Sequence, residues 1–150
     1  MMKVFDKMGG GLIAVEHVPW DVIENYGVVD AVKVADQIHK IGAMVEKPHR
    51  EQAPSNMAIV GRYILPPLIF EILEESKPGA RGEIQLTDAL ITLLGKHDLY
   101  AYEFNGVRYD AGSPMGLLRA SLAFALERKD TSQEAIALVK EFHDRIGLSL

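Results

Sequence analysis

The sequence has 150 residues, of which 48% are hydrophobic and 25% are charged, with a formal net charge of -5 and no cysteine. This composition indicates one soluble domain with a core, and the missing thiols exclude a disulfide scaffold, a cysteine nucleophile and a cysteine-bound zinc site. The mixed, mildly acidic charge argues against a nucleic-acid-binding surface, and no apolar run is long enough to span a membrane. No signal peptide is visible at the N-terminus, so we expect a cytoplasmic protein.

Six segments have the pattern of β-strands, which are short apolar or β-branched runs bounded by Gly, Pro or polar residues. They cover residues 12–15, 26–34, 38–45, 57–65, 99–104 and 108–109. The second and third are joined by a short polar segment around Asp36 and Gln37, which predicts a hairpin. The first is apolar throughout, so we expect it to be buried on both faces.

Helices are predicted from apolar positions at helical spacing together with start and stop residues. They are expected up to the triglycine at 9–11, over 68–75, over 87–94, from Ser113 to about residue 127, and in the last segment before Gly147. Thr131 and Glu134 have the spacing of a capping box for that last helix. The alternation of strands and helices indicates an α/β fold, with a mixed sheet flanked by helices and further helices at the C-terminal end.

Several familiar catalytic motifs are missing from the sequence. The five histidines are scattered, with no pair at helical ligand spacing, so a histidine metal site is not expected. No Gly-x-Ser-x-Gly elbow is present, and the triglycine lacks the Lys-Ser/Thr that completes a phosphate-binding P-loop. Three short polar stretches at the ends of predicted elements remain as candidates for a functional site.

The first candidate is Val-Glu-Lys-Pro at 45–48, where Glu46 and Lys47 end an apolar strand beside a proline. Neighbours on a strand point to opposite faces, but at a strand end both side chains can lean into one cleft. A carboxylate accepts hydrogen bonds from sugar hydroxyls, and an ammonium group neutralises phosphate oxygens. The alternative is an ordinary solvated strand end.

The second candidate is Gly-Glu-Ile-Gln-Leu-Thr-Asp at 82–88, which places Glu83 and Gln85 just before a helix. Acidic residues are favoured at this position by the helix dipole, and Thr87 or Asp88 can serve simply as a cap. The residue types alone therefore leave a structural role as open as a binding role.

The third candidate is Asp110, which lies between a predicted strand and the helix that Ser113 and Pro114 open. A carboxylate at such a place can hold a Mg²⁺ ion that also binds phosphate oxygens. A plain turn aspartate is the alternative.

Taken together and in this order, the stretches resemble one family, the bacterial UTP–glucose-1-phosphate uridylyltransferases, also called UDP-glucose pyrophosphorylases. The matching motifs are Tyr-Gly-Val-Val at 26–29, Val-Glu-Lys-Pro at 45–48, Ala-Pro-Ser-Asn at 53–56, Gly-Arg-Tyr-Ile-Leu at 61–65, Gly-Glu-Ile-Gln-Leu-Thr-Asp at 82–88 and Tyr-Asp-Ala-Gly at 109–112. The resemblance reaches about residue 146 but covers only the C-terminal half of the family's enzyme. It implies part of a Rossmann-like nucleotidyltransferase sheet.

The resemblance also implies roles for individual residues. Glu46 would accept hydrogen bonds from the glucose hydroxyls, Lys47 would contact the sugar-side phosphate as the catalytic lysine, and the backbone of Gly27 would lie against the sugar. Asp110 would bind Mg²⁺. Two further substrate-binding positions belong to the family pattern, Glu83 and Gln85. Where the family often has a lysine after the Asp-x-Gly-Ser stretch, this sequence has Pro-Met at 114–115.

The implied reaction forms UDP-glucose and pyrophosphate from UTP and glucose 1-phosphate. The family's glycine-rich nucleotide-binding signature and its first Mg²⁺-binding aspartate are missing from this sequence. We therefore expect residues 1–150 to be the C-terminal portion of a single nucleotidyltransferase domain that is inactive by itself.

Two other functions remain open. One is thymidylyl or adenylyl transfer to a sugar 1-phosphate, and the other is a non-catalytic sugar-phosphate-binding or oligomerisation fragment. A halved sheet would have unpaired edges, which favours a homo-oligomer. The apolar stripe of the last helix would pack on its own domain or on a second subunit; it consists of Ile136, Val139, Phe142 and Ile146.

Overall fold

Most of the predicted strands and helices are present in the computed structural model, which describes residues 1–77 and 84–147. The helices are α1 Met2–Met8, α2 Leu68–Glu75, α3 Leu86–Leu94, α4 Pro114–Glu127 and α5 Ser132–Ile146. The strands are β1 Gly11–His17, β2 Gly27–Ala35, β3 Ile38–Glu46, β4 Met57–Ile64 and β5 Leu99–Glu103. Chain contacts divide the protein into two units, Met1–Asn105 and Gly106–Leu150.

The strands form one mixed sheet that closes on itself in the order β1-β4-β2-β3-β5. β1 and β5 are parallel and the other neighbouring pairs are antiparallel, so the predicted mixed sheet is confirmed. The link between β2 and β4 is the single pair Val28 and Ala58. Because the ring is closed, the unpaired edges expected of a halved sheet are not found among the described strands.

The core of the first unit lies between the sheet and helices α2 and α3. Its largest cluster of buried side chains joins Ile13 of β1 to Ile69 and Ile72 of α2 and to Leu90 and Leu93 of α3. On the other face of β1, the neighbouring residue Leu12 packs with residues of α1. β1 is therefore buried on both faces, as its uninterrupted apolar run predicts.

Helix ends in the first unit follow local sequence signals. α1 ends at Gly9, whose backbone is left-handed with φ 68°, a conformation that glycine adopts without strain. α2 has the predicted bounds, and it begins directly after Pro66 and Pro67. α3 starts at Leu86, one residue earlier than predicted, and Gly95 follows its last residue.

The second unit contains α4 and α5. The side chain of Ser113 caps α4 as predicted, because its Oγ accepts a hydrogen bond from the backbone N of Gly116 at 3.1 Å. The capping box predicted for α5 is wrong. Thr131 does precede α5, but its hydroxyl donates to the carbonyl oxygen of Ala125 at 2.8 Å and so ties α5 to α4.

One predicted strand is absent, since residues 108–109 belong to no strand of the described chain. The ring of Tyr109 instead lies beside that of Phe124 of α4, with the ring centroids 5.6 Å apart. Aromatic packing within the second unit thus replaces the strand pairing that the sequence suggested. None of the helices among the described residues has the length and apolar character needed to cross a membrane.

Candidate functional site

The open end of the β2–β3 hairpin brings together the glycine and the acidic residue predicted for the sugar. In the antiparallel register, Gly27 at the start of β2 lies opposite Glu46 at the end of β3. A Cβ atom on residue 27 would lie only 3.0 Å from Glu46 Oε2 and 3.3 Å from Ile59 Cδ1. Glycine therefore keeps the backbone bare beside the carboxylate.

The Glu46 carboxylate has a defined orientation. Its Oε2 accepts a hydrogen bond of 2.7 Å from the hydroxyl of Thr87, which is buried in the first turn of α3. The side chain of Glu46 is 28% exposed, so the carboxylate sits at the boundary between the core and solvent. Its other oxygen, Oε1, faces the ammonium group of the next residue.

Lys47 reaches the same place through an unusual backbone conformation. Its φ is +46°, in the left-handed region, although it is neither a glycine nor an asparagine and a proline follows it. Its backbone N donates to the carbonyl oxygen of Tyr26 at 3.0 Å, which holds the turn in place. Lys47 Nζ lies 3.9 Å from Glu46 Oε1 with 45% of the side chain exposed.

This turn explains how two consecutive residues share one face. In a regular strand the side chains of Glu46 and Lys47 would point to opposite sides of the sheet. A left-handed residue at the strand end reverses that alternation, at a cost of about 1–2 kcal/mol for a side chain other than glycine. Strain of this kind is found preferentially at functional sites.

Tyr63 of β4 is close enough to the site for the charge of Glu46 to act on its phenol. Burial raises the pKa of Tyr63 above its ordinary value, and the negative charge of Glu46 raises it further. The phenol consequently stays neutral over the physiological range and can serve there as a hydrogen-bond donor.

Gln85 lies immediately before α3. Its extended backbone occupies the N-cap position, and its carbonyl oxygen accepts hydrogen bonds from Asp88 N at 3.2 Å and Ala89 N at 3.4 Å. Its side chain makes no capping hydrogen bond, and neither Thr87 nor Asp88 is the cap. Glu83 lies outside the described residues.

Asp110 belongs to the second unit and is held in a tight turn before α4. Its Oδ1 accepts a hydrogen bond from Gly112 N at 2.8 Å. A Cβ atom on Gly116 would lie 1.8 Å from the carbonyl oxygen of Asp110, so the first turn of α4 packs directly on the backbone of this aspartate. Residues 1–77 and 84–147 contain no group of three or more side chains arranged to hold a metal ion.

The structure thus joins Gly27, Glu46 and Lys47 in one place, with Gln85 at the start of the adjoining helix, while Asp110 is placed in the other unit. Sequence reasoning missed the contact from Thr87, which it treated only as a possible helix cap. The available signal was the position of Thr87 inside the 82–88 motif. A carboxylate, an ammonium group and a bare backbone side by side suit a ligand with both hydroxyl and phosphate groups.

Comparison with known proteins assigns the class. A model of the nucleotidyl transferase family matches residues 1–127, and the chain belongs to that family. The UTP–glucose-1-phosphate uridylyltransferase of Staphylococcus haemolyticus is 40% identical over 141 residues, which are 94% of this chain and 49% of the relative. The chain spans about half the length of the curated relatives it matches.

Solved structures agree with this assignment. A crystal structure of UDP-glucose pyrophosphorylase complexed with UDP-glucose matches with a TM-score of 0.79 and 44% identity, covering 85% of this chain and 49% of that one. A Bacillus anthracis structure designated a candidate glucose-1-phosphate thymidylyltransferase is more distant, with a TM-score of 0.63 and 28% identity over 85% of this chain and 48% of that one. The resemblance seen in the sequence motifs is confirmed.

Proposed function

We propose that this chain carries the sugar-phosphate side of a UTP–glucose-1-phosphate uridylyltransferase, the activity that forms UDP-glucose and pyrophosphate. The observation that carries the proposal is the placement of the Glu46 and Lys47 head groups 3.9 Å apart beside the bare backbone of Gly27. On this proposal, residues 1–150 correspond to the C-terminal portion of one nucleotidyltransferase domain, and the part that binds the nucleotide lies outside them.

Each residue of the site has a separate task. Glu46 Oε1 accepts hydrogen bonds from the glucose hydroxyls, because Oε2 is engaged by Thr87. Lys47 Nζ binds the phosphate of glucose 1-phosphate, and the backbone of Gly27 forms the surface against which the sugar ring rests. Gln85 and Glu83 complete the substrate-binding set through their place in the family motif.

The reaction is a direct displacement. A phosphate oxygen of glucose 1-phosphate attacks the α-phosphorus of UTP, the bond from that phosphorus to the β-phosphate bridging oxygen breaks, and pyrophosphate leaves. No covalent protein nucleophile is required. The protein contributes alignment of two anionic substrates and neutralisation of their charge, and on this chain Lys47 performs the neutralisation as the catalytic residue.

Nucleotidyl transferases of this kind generally use a divalent metal ion, and we propose that here it is Mg²⁺ with Asp110 as a ligand. The turn that fixes Asp110 Oδ1 suits this role, since Mg²⁺ is commonly held by one or two carboxylates together with substrate phosphates. When bound, Mg²⁺ would stabilise the negative charge on the phosphates. A cytoplasmic location is part of this proposal.

We also propose that the protein forms a homo-oligomer. The support comes from the apolar side chains that the second unit leaves exposed. α4 and α5 bury only one small residue each, Ala120 and Ala135. The stripe predicted on α5 stays 39–60% exposed, from Ile136 to Ile146. Light scattering tests this proposal, since a monomer at high protein concentration would contradict it.

Binding of glucose 1-phosphate by this chain tests the proposed function. We expect binding by titration calorimetry, with a loss of at least about tenfold in Lys47→Ala because a charge-assisted contact is removed. Lys33→Ala is the matched control, since Lys33 is an exposed lysine of β2 whose nearest acidic partner is Asp36. Failure of the wild-type chain to bind glucose 1-phosphate would refute the proposal.

Thymidylyl transfer is the second candidate, supported by the B. anthracis neighbour. The two activities share the sugar 1-phosphate, so they are separated by supplying the nucleotide-binding half and comparing UTP with dTTP as substrates. Equal rates with the two nucleotides would remove the preference for uridine. A non-catalytic sugar-phosphate-binding module would bind glucose 1-phosphate and transfer neither nucleotide even with that half supplied.

A further inference from the structure

Thr87 makes a hydrogen bond that its position in the helix does not require. It is the second residue of α3, with 8% of its surface exposed, and its hydroxyl donates to Glu46 Oε2 at 2.7 Å across 41 positions of sequence. We propose that Thr87 is a positioning residue of the sugar-phosphate site, which fixes the Glu46 carboxylate so that Oε1 is directed to the sugar. This inference rests on the proposed function.

A second threonine in the same helix, Thr92, makes the hydrogen bond that is usual for a threonine in a helix. The hydroxyl of Thr92 donates to the carbonyl oxygen of Asp88 at 3.1 Å, four residues earlier in the helix. Such back-bonding within a helix is the common arrangement for threonine. Thr87 lies in the first turn of α3 and is directed instead to another element of the fold, at the one carboxylate that ends β3.

Gly27 leaves the room that this hydrogen bond needs. A Cβ atom on residue 27 would lie 3.0 Å from Glu46 Oε2 and 3.5 Å from Thr87 Oγ1. The hydroxyl, the carboxylate and the bare backbone are therefore in close contact, and a Cβ atom on residue 27 would require the Glu46 carboxylate to shift by a few tenths of an ångström.

The hydrogen bond acts on binding by ordering Glu46 in advance. An ionised carboxylate only accepts hydrogen bonds, so the hydroxyl must donate, and a donor to a charged acceptor makes a strong bond. A glutamate held in one rotamer loses less conformational entropy when a sugar binds than one that is free to rotate. Removing the hydroxyl should thus weaken the contact with the sugar and spare the contact with the phosphate.

The test compares three variants by NMR titration of the full 150-residue chain with glucose 1-phosphate and, separately, with inorganic phosphate. Thr87→Val should raise the Kd for glucose 1-phosphate about tenfold and leave that for inorganic phosphate within about twofold. Thr87→Ser keeps the donor and should stay within about threefold of the wild type for both ligands. Thr92→Val, the matched control on the same helix, should not change either Kd.

The outcomes separate this inference from the proposed function. No binding of glucose 1-phosphate by the wild type overturns both. If the wild type binds glucose 1-phosphate, three results overturn only the role of Thr87. They are an unchanged Kd in Thr87→Val, an equal loss of affinity for glucose 1-phosphate and inorganic phosphate, and a Thr87→Ser variant that binds as weakly as Thr87→Val. If circular dichroism shows that Thr87→Val does not fold, Thr87→Ala is measured in its place. The same loss of affinity for glucose 1-phosphate but not for inorganic phosphate is expected.

Discussion

Substitutions of Lys47 separate effects on folding stability from effects on ligand binding. The side chain is proposed to bind phosphate, whereas the backbone conformation affects the free energy of unfolding. The ammonium group of Lys47 is about half exposed and 3.9 Å from Glu46 Oε1, and ion pairs of that exposure contribute about 0.2–1 kcal/mol. Lys47→Ala should therefore lower the free energy of unfolding by no more than about 1 kcal/mol. It should nevertheless abolish most of the affinity for glucose 1-phosphate.

Lys47→Gly should lose the same affinity but be more stable than Lys47→Ala. The φ of +46° costs a side chain about 1–2 kcal/mol that glycine does not bear. The greater freedom of glycine in the unfolded chain offsets about 0.5–1 kcal/mol of this gain. We expect Lys47→Gly to exceed Lys47→Ala by about 0.5–1 kcal/mol.

Urea denaturation at pH 7 measures both differences, and calorimetric titration with glucose 1-phosphate measures the affinity. Lys33→Ala, which removes one exposed lysine elsewhere on the sheet, serves as the charge control. If Lys47→Gly is no more stable than Lys47→Ala, the left-handed backbone at residue 47 is not strained. The assignment of Lys47 to the phosphate is refuted if Lys47→Ala loses stability and affinity in equal measure.

Three further changes test other parts of the site. Gly27→Ala puts a Cβ 3.0 Å from Glu46 Oε2 and should weaken binding of glucose 1-phosphate about tenfold, measured by calorimetry; unchanged affinity would contradict the close approach. Gly116→Ala puts a Cβ 1.8 Å from the Asp110 carbonyl and should lower the melting temperature and weaken Mg²⁺ binding, whereas a wild-type melting curve would contradict that contact. The raised pKa of Tyr63 favours its protonated form in the folded state, so the free energy of unfolding should fall as the pH rises above about 10. Tyr63→Phe should flatten that fall in urea denaturation between neutral and alkaline pH, and an equally steep fall would disprove the effect.

The elements that the sequence predicts best are those bounded by residues with strong local preferences. α2 has the bounds expected from Pro66 and Pro67, and Ser113 caps α4 as its place before Pro114 predicts. These signals act within a few residues, so they do not depend on the rest of the fold.

Features that depend on distant contacts could not be predicted in this way. The bond from Thr87 to Glu46 joins residues 41 positions apart, and the sheet closes through the single pair of β2 and β4. The capping box at Thr131 failed for a more local reason, because the carbonyl oxygen of Ala125, six residues earlier in α4, accepts the hydrogen bond from the hydroxyl. The left-handed backbone of Lys47 is likewise set by its surroundings and not by its residue type.

The proposed binding site for glucose 1-phosphate is the place where Gly27, Glu46 and Lys47 meet. Amide ¹H–¹⁵N spectra of the 150-residue chain, recorded while glucose 1-phosphate is added, test this site directly. We predict saturable shifts centred on these three amides and on Thr87, which need at least about tenfold more glucose 1-phosphate to saturate in Lys47→Ala and are unchanged in Lys33→Ala. Shifts that centre elsewhere, or that saturate in Lys47→Ala at the same ligand concentration as in the wild type, would contradict it.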